Sequence, residues 1–199
     1  MDYSASMVSC LFWLQETRKT AELMHDGLTL QEIRKKAVAD NLYQVHSPDR
    51  ATRIAGVSYK RLAALNEPLR SWFLSADIKT AKLILLLAIM KTDLLFYEFM
   101  HSAFKQTVVL GEKTLTDSAI NVFFDRKIAE NPEVASFSET AIRKLKQIYV
   151  KVLAEADVLS SVKERLIRLP MIDYRLHAAV VEARMLPYLA TLTGEDTDE

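Results

Sequence analysis

Residues 76 to 106 open with "ADIKTAKLILLLAIMKTDLLFYEFMHSAFK", and this stretch constrains the fold more than any other. Its greasiest run, "LILLLAIM" at 83–90, is closed on both sides by lysine, Lys82 and Lys91. A bilayer span needs roughly 20 apolar residues. The run is far shorter, so it predicts a buried helix at the centre of a water-facing protein. Thr92-Asp93 is a natural break and a new cap. The stretch therefore reads as one broken helix or as a pair.

Gly and Pro number only 4 and 5 among 199 residues, which favours long helices over strands and turns. The length suits one sizeable domain or two small ones. Helical spacing also runs over residues 5 to 25, through Met7, Leu11, Phe12, Leu14, Leu23 and Met24, with Gly27 as its stop. Thr29 and Glu32 have capping-box spacing and open a helix to about Asp40. Ser47 and Pro48 open the next, over 48–66, with Ile54, Val57, Leu62 and Leu65 inward. The polar "LGEKTLTD" around Gly111 suggests a boundary. The expected organisation is a helical domain over 1–112, a second over 113–170, and a C-terminal helix with an acidic tail over 171–199.

The second domain carries the most specific pattern. Residues 117–130 make a helix with Ile120, Phe123, Phe124 and Ile128 on one side. Asn131 and Pro132 start a short helix, "PEVAS", and Phe137 sits at a corner. A long helix follows from Ser136 or Ser138 to Ala156. At about 100° per residue, Ile142, Leu145, Ile148, Tyr149, Val152, Leu153 and Ala156 share a sector about 140° wide. The opposite face carries Thr140, Arg143, Lys144, Gln147 and Lys151, with no acid in its middle. "VKERLIRL" then reads as a returning strand that ends at Pro170. That order predicts a mainly helical, all-α protein with a small β-hairpin wing, a helical bundle plus a winged helix-turn-helix-like portion. Such a corner helix suits the major groove of DNA. Asp157 stands where a glycine often precedes the wing, a position that Asp tolerates.

Two basic groups compete for an anionic partner. Residues 34–70 hold eight Lys/Arg against three Asp/Glu, with Arg50, Arg53, Lys60 and Arg61 read as outer positions of the 48–66 helix. The corner helix with Lys163, Arg165 and Arg168 on the wing is the other. Arg143 and Gln147 suit guanine and adenine edges, whereas Lys144, Lys151, Lys163 and Arg165 suit phosphates. Whole-chain net charge is zero, so only local patches support binding to double-stranded DNA.

Enzymatic readings find little footing. Glu98 and His101 form one Glu-x-x-His step, but a di-iron bundle needs a second, and the chain has none. His25, His46, His101 and His177 lack metal spacing, so no metal or cofactor is expected. No phosphate loop or nucleophile elbow occurs. Cys10 is the sole cysteine and reads as a small buried side chain, which fits a cytoplasmic protein. The start "MDYSASMVSC" has no basic stretch, so no secretory signal is expected.

Several pieces in order resemble the BrxA family, small proteins of BREX bacteriophage-defence systems. They are "YSAS" with "FWLQETRKTAELM", "NLYQVHSPDRATRIAGVSYKRLAAL", "LLLAIMKTDLLFYEFM", and "FFDRKIAENPEVASFSETAIRKLKQIYVKVLAEADVL", spanning roughly residues 3 to 170. The resemblance implies a helical protein with helix-turn-helix character that binds double-stranded DNA beside methyltransferase and ATPase partners. It brings no enzymatic motif. Some members have been labelled putative inner-membrane proteins, which the short apolar run argues against. The alternatives are a helical adaptor for other BREX proteins and an RNA-binding bundle resembling antitermination factors.

Overall fold

The structure, a computed structural model, describes residues 2–195. The acidic tail Asp196, Asp198 and Glu199 lies outside the described residues. The chain forms two compact units, Trp13–Ala88 and the described residues of Met1–Phe12 with Ile89–Glu199. This division differs from the sequence boundaries near 112 and 170. One edge falls after Ala88, inside a helix that runs from Ile78 to Thr92. No change of composition marks such an edge.

The unit Trp13–Ala88 is built from α1 (Leu14–His25), α2 (Leu30–Ala39), α3 (Pro48–Ala63), α4 (Glu67–Ser75) and most of α5 (Ile78–Thr92). Caps fall where the sequence places them. Thr29 and Glu32 close a reciprocal capping box on α2, and Ser47 caps α3 with Pro48 in its first turn. α1 and α2 both pack on α3, burying Ile33, Ala37, Ile54, Ala55 and Leu62. Two buried hydroxyl pairs satisfy each other inside this core, Thr17 with Ser58 at 3.2 Å and Thr20 with Tyr43 at 2.7 Å. Leu83 to Met90 are all buried, as the apolar run requires.

The helix expected from residue 5 begins only at Leu14. A 3₁₀ turn over Ser6–Ser9 comes first, and Trp13 adopts left-handed geometry at φ 55°. Phe12 and Trp13 are consecutive, both buried and in different units.

The other unit contains α6 (Leu94–Phe99), a π-turn over Met100–Phe104, α7 (Lys105–Val109), α8 (Asp117–Glu130), α9 (Pro132–Ala135), α10 (Glu139–Glu155), α11 (Tyr174–Glu182) and α12 (Leu186–Thr193). Asp93 caps α6 by accepting the Phe96 N–H at 2.9 Å, at the predicted break. The core is a ring cluster. Tyr149 packs against Phe96 at 4.9 Å, Phe99 at 5.1 Å and Phe124 at 5.7 Å between centroids. α12 packs on the π-turn and α7.

The hairpin wing is a correction. Among the described residues there are only two isolated antiparallel bridges, Thr114 with Leu166 and Leu159 with Ile167. The reason is local. Residues 161–165 close a turn, with the Arg165 N–H donating to the Ser161 carbonyl at 3.1 Å, and Arg165 is left-handed at φ 55°. That consumes half of the expected strand. What remains, 166–168, threads between 113–115 and 158–160. The Ile167 N–H reaches the Lys113 carbonyl and the Arg168 N–H reaches the Val158 carbonyl, each at 2.9 Å. No helix among the described residues is long and apolar enough to cross a membrane.

Candidate nucleic-acid interface

The bend before α10 is held by short-range chemistry. Asn131 Oδ1 accepts the N–H groups of Glu133 at 2.9 Å and Val134 at 3.3 Å, and Pro132 opens α9. Val134 is fully buried and anchors the short helix. Ser138, not Ser136, caps α10 by accepting the Ala141 N–H at 3.2 Å. Asn131→Ala is expected to lower the unfolding free energy by about 1 kcal/mol, measured by urea denaturation.

α10 separates its two roles by face. Ile142, Leu145, Tyr149, Val152, Leu153 and Ala156 are buried, and Ile148 is half-buried. Thr140, Arg143, Lys144, Gln147 and Lys151 are exposed. Val150 is buried as well, outside the predicted sector. The segment Ser6–Ser9 also packs on this helix, a long-range contact that a helical wheel does not contain. Lys146 is tied down. Its Nζ donates to Asn121 Oδ1 at 2.8 Å and lies 5.5 Å from the centre of the Phe124 ring, joining α10 to α8. Lys151 lies 3.8 Å from Glu155, an exposed i,i+4 pair that holds it only weakly.

Asp157 ends α10 at φ 63°, the left-handed position expected of it. Beyond it, Lys163 and Arg168 are exposed. Arg165 is not a free cation. It is ion-paired to Asp117 in the first turn of α8, and its Nε donates to the Val162 carbonyl at 3.1 Å. It pins the 161–165 turn to α8 and is corrected from phosphate ligand to brace. Lys113 is exposed beside the 166–168 segment, a cation brought there by long-range pairing that no local pattern signals.

In the unit Trp13–Ala88, Arg50, Arg53 and Lys60 are exposed on α3. Arg61 is corrected. It is 3% exposed, with its guanidinium 6.0 Å from the centre of the Trp13 ring. It belongs to the core face of α3.

Glu98 accepts the Tyr3 hydroxyl at 2.9 Å and meets Lys127 Nζ at 3.0 Å, while His101 is exposed. Burial and that bond push the Tyr3 phenol up to about 12. Among the described residues no three His, Cys, Asp or Glu side chains gather as a metal site.

The BrxA family model matches residues 1–183. A BREX protein BrxA from Bacillus cereus (strain H3081.97) is 36% identical over 172 residues, covering 86% of each chain. Another from Escherichia coli O9:H4 (strain HS) is 24% identical over 151 residues, covering 76% of this chain and 71% of that one. The crystal structure of an uncharacterized protein from Magnetospirillum magneticum superposes with a TM-score of 0.84 at 15% identity, covering 97% of this chain and 99% of that one. That last likeness speaks for the fold alone. The family match and the identity over most of the chain speak for kinship, and this chain belongs to the BrxA family of BREX proteins.

Proposed function

We propose that this protein is a non-enzymatic, cytoplasmic component of a BREX phage-defence system that binds double-stranded DNA with weak sequence preference. The outer face of α10 enters a groove, and Lys163 and Arg168 meet phosphates beside it. The observation that carries the reading is the exposed row Thr140, Arg143, Lys144, Gln147 and Lys151, directly after a capped bend. Phosphate contacts supply affinity, and few outer side chains are left to read bases, so sequence preference is weak.

Neutralising roughly five phosphates gives a slope of about −4 to −5 for log K against log salt. Titrating labelled random duplex at several salt concentrations tests this. A flat salt response, or no binding at low salt, contradicts it. Structured RNA that competes better than unlabelled duplex would move the reading to RNA.

One observation favours a second reading, an adaptor for other BREX proteins. Leu169, Met171 and Tyr174 are exposed, Met171 at 96%. Neighbouring exposed apolar side chains suit a protein partner. Capture of BREX partners from nuclease-treated lysate separates this role from one that depends on DNA.

A further inference from the structure

α3 carries a glycine in its interior at position 56, where helices are poorest in glycine because it weakens them. The geometry gives it a use. A Cβ at residue 56 would stand 2.9 Å from Nη2 of Arg34 and 3.7 Å from its Cζ and Nε. The Arg34 guanidinium, reaching across from α2, therefore lies directly on the α3 backbone, in space that any other residue would fill. α2 and α3 pack together within one unit, so the seat is local to it.

Gly56 comes three residues after Arg53 and four before Lys60, so all three share one face of α3. Arg34, Arg53 and Lys60 are exposed. Seating Arg34 over Gly56 puts its positive charge on the face of α3 that also carries Arg53. Asp49, four residues before Arg53, shares its face without an ion pair to it, Glu32 is taken up by the Thr29 capping box, and Asp40 pairs with Lys36 at 2.7 Å. No ion pair joins Arg34 or Arg53 to a carboxylate among the described residues. A glycine-weakened helix that holds two exposed guanidinium groups, neither of them ion-paired, is explained if the face meets an anion. Guanidinium forks match the oxygens of a phosphate.

We propose that Arg34, seated over Gly56, acts with Arg53 as a second phosphate-binding site that grips the backbone of a DNA duplex separately from α10. This rests on the reading that the protein binds DNA. Gly56 is a positioning residue, and its only task is to leave room for the guanidinium.

The test is a cycle on the full chain with Gly56→Ala, Arg34→Ala and the double variant, read by duplex affinity, salt slope and thermal stability. The alanine methyl displaces only the far end of a flexible side chain, so the fold is kept and Tm is unchanged or higher. Duplex Kd rises about 3- to 10-fold and the salt slope becomes shallower by about 1, the effect of losing one phosphate contact. Arg34→Ala gives the same loss, and the double variant loses no more than either single, because both remove one interaction. Unchanged affinity and slope in both singles, or additive losses in the double, overturns the proposal. So does inorganic phosphate that displaces duplex far better than chloride at equal ionic strength, since the site would then serve a free phosphate. Loss on substituting Arg143 and Lys144 without any in this cycle keeps the α10 reading and removes this one. The reverse pattern keeps this one and removes that.

Discussion

Arg143→Glu combined with Lys144→Glu is expected to weaken duplex binding by about 100-fold or more at near-physiological salt while leaving stability almost unchanged. A well-made base contact contributes about 1–3 kcal/mol of discrimination, and reversing two charges adds repulsion from the phosphates. Both side chains are exposed and neither has an acidic partner among the described residues. Surface substitutions of that kind usually stay within about 0.5 kcal/mol. Fluorescence anisotropy with labelled duplex reads the first quantity, and thermal unfolding reads the second. Parallel loss of both would make the face structural. No change in either would move the contact to α3, around Arg53 and Lys60.

The same helix supplies the largest expected effect on stability. Tyr149 is fully buried among Phe96, Phe99 and Phe124, so Tyr149→Ala is expected to lower the unfolding free energy by about 3–5 kcal/mol. Tyr149→Phe should behave differently. The Tyr149 hydroxyl is buried without a hydrogen-bond partner among the described residues. Removing it is expected to leave stability unchanged or raise it.

The pH dependence follows from the same hydroxyl. Burial, and then the charges of Asp93 and Glu98, hold the phenol well above its usual range. Above about pH 10 the unfolded chain releases this proton while the folded chain keeps it. The stability present below that pH is therefore lost as pH rises. Urea denaturation between pH 8 and pH 11 should show a steeper alkaline decline in the wild type than in Tyr149→Phe.

Most of the helical framework is legible in the sequence because its signals are local. Thr29 with Glu32, Ser47 with Pro48, Asp93, Asn131 with Pro132, and Ser138 all cap helices. Each needs only its own neighbours to do so. α4 is hidden in the sequence because Pro68 reads as a stop, whereas in the first turn, after the Asn66 cap, it is a start.

Features that depend on distant residues are where the reading fails. Arg165 looks like a wing cation until Asp117, far back in the chain, is seen to hold it. The composition of 162–169 suits a strand, but a turn takes its first half. The place of Arg61 is written in its spacing. It follows Ile54 by seven residues, so the two share the buried face of α3. Its charge suggests the surface, and the Trp13 ring beneath it has no local signature. Arg34 over Gly56 is of the same kind, a contact between two helices that neither helix announces.

Lysine footprinting tests the central claim most directly. Acetylating the full protein with and without saturating duplex, then mapping by mass spectrometry, reports each lysine separately. Lys144, Lys151 and Lys163 should be protected by the duplex, while the exposed Lys79 of α5 is modified alike in both samples. Equal modification of Lys144 and Lys151 with and without bound DNA would contradict the assignment of α10 as the contact surface.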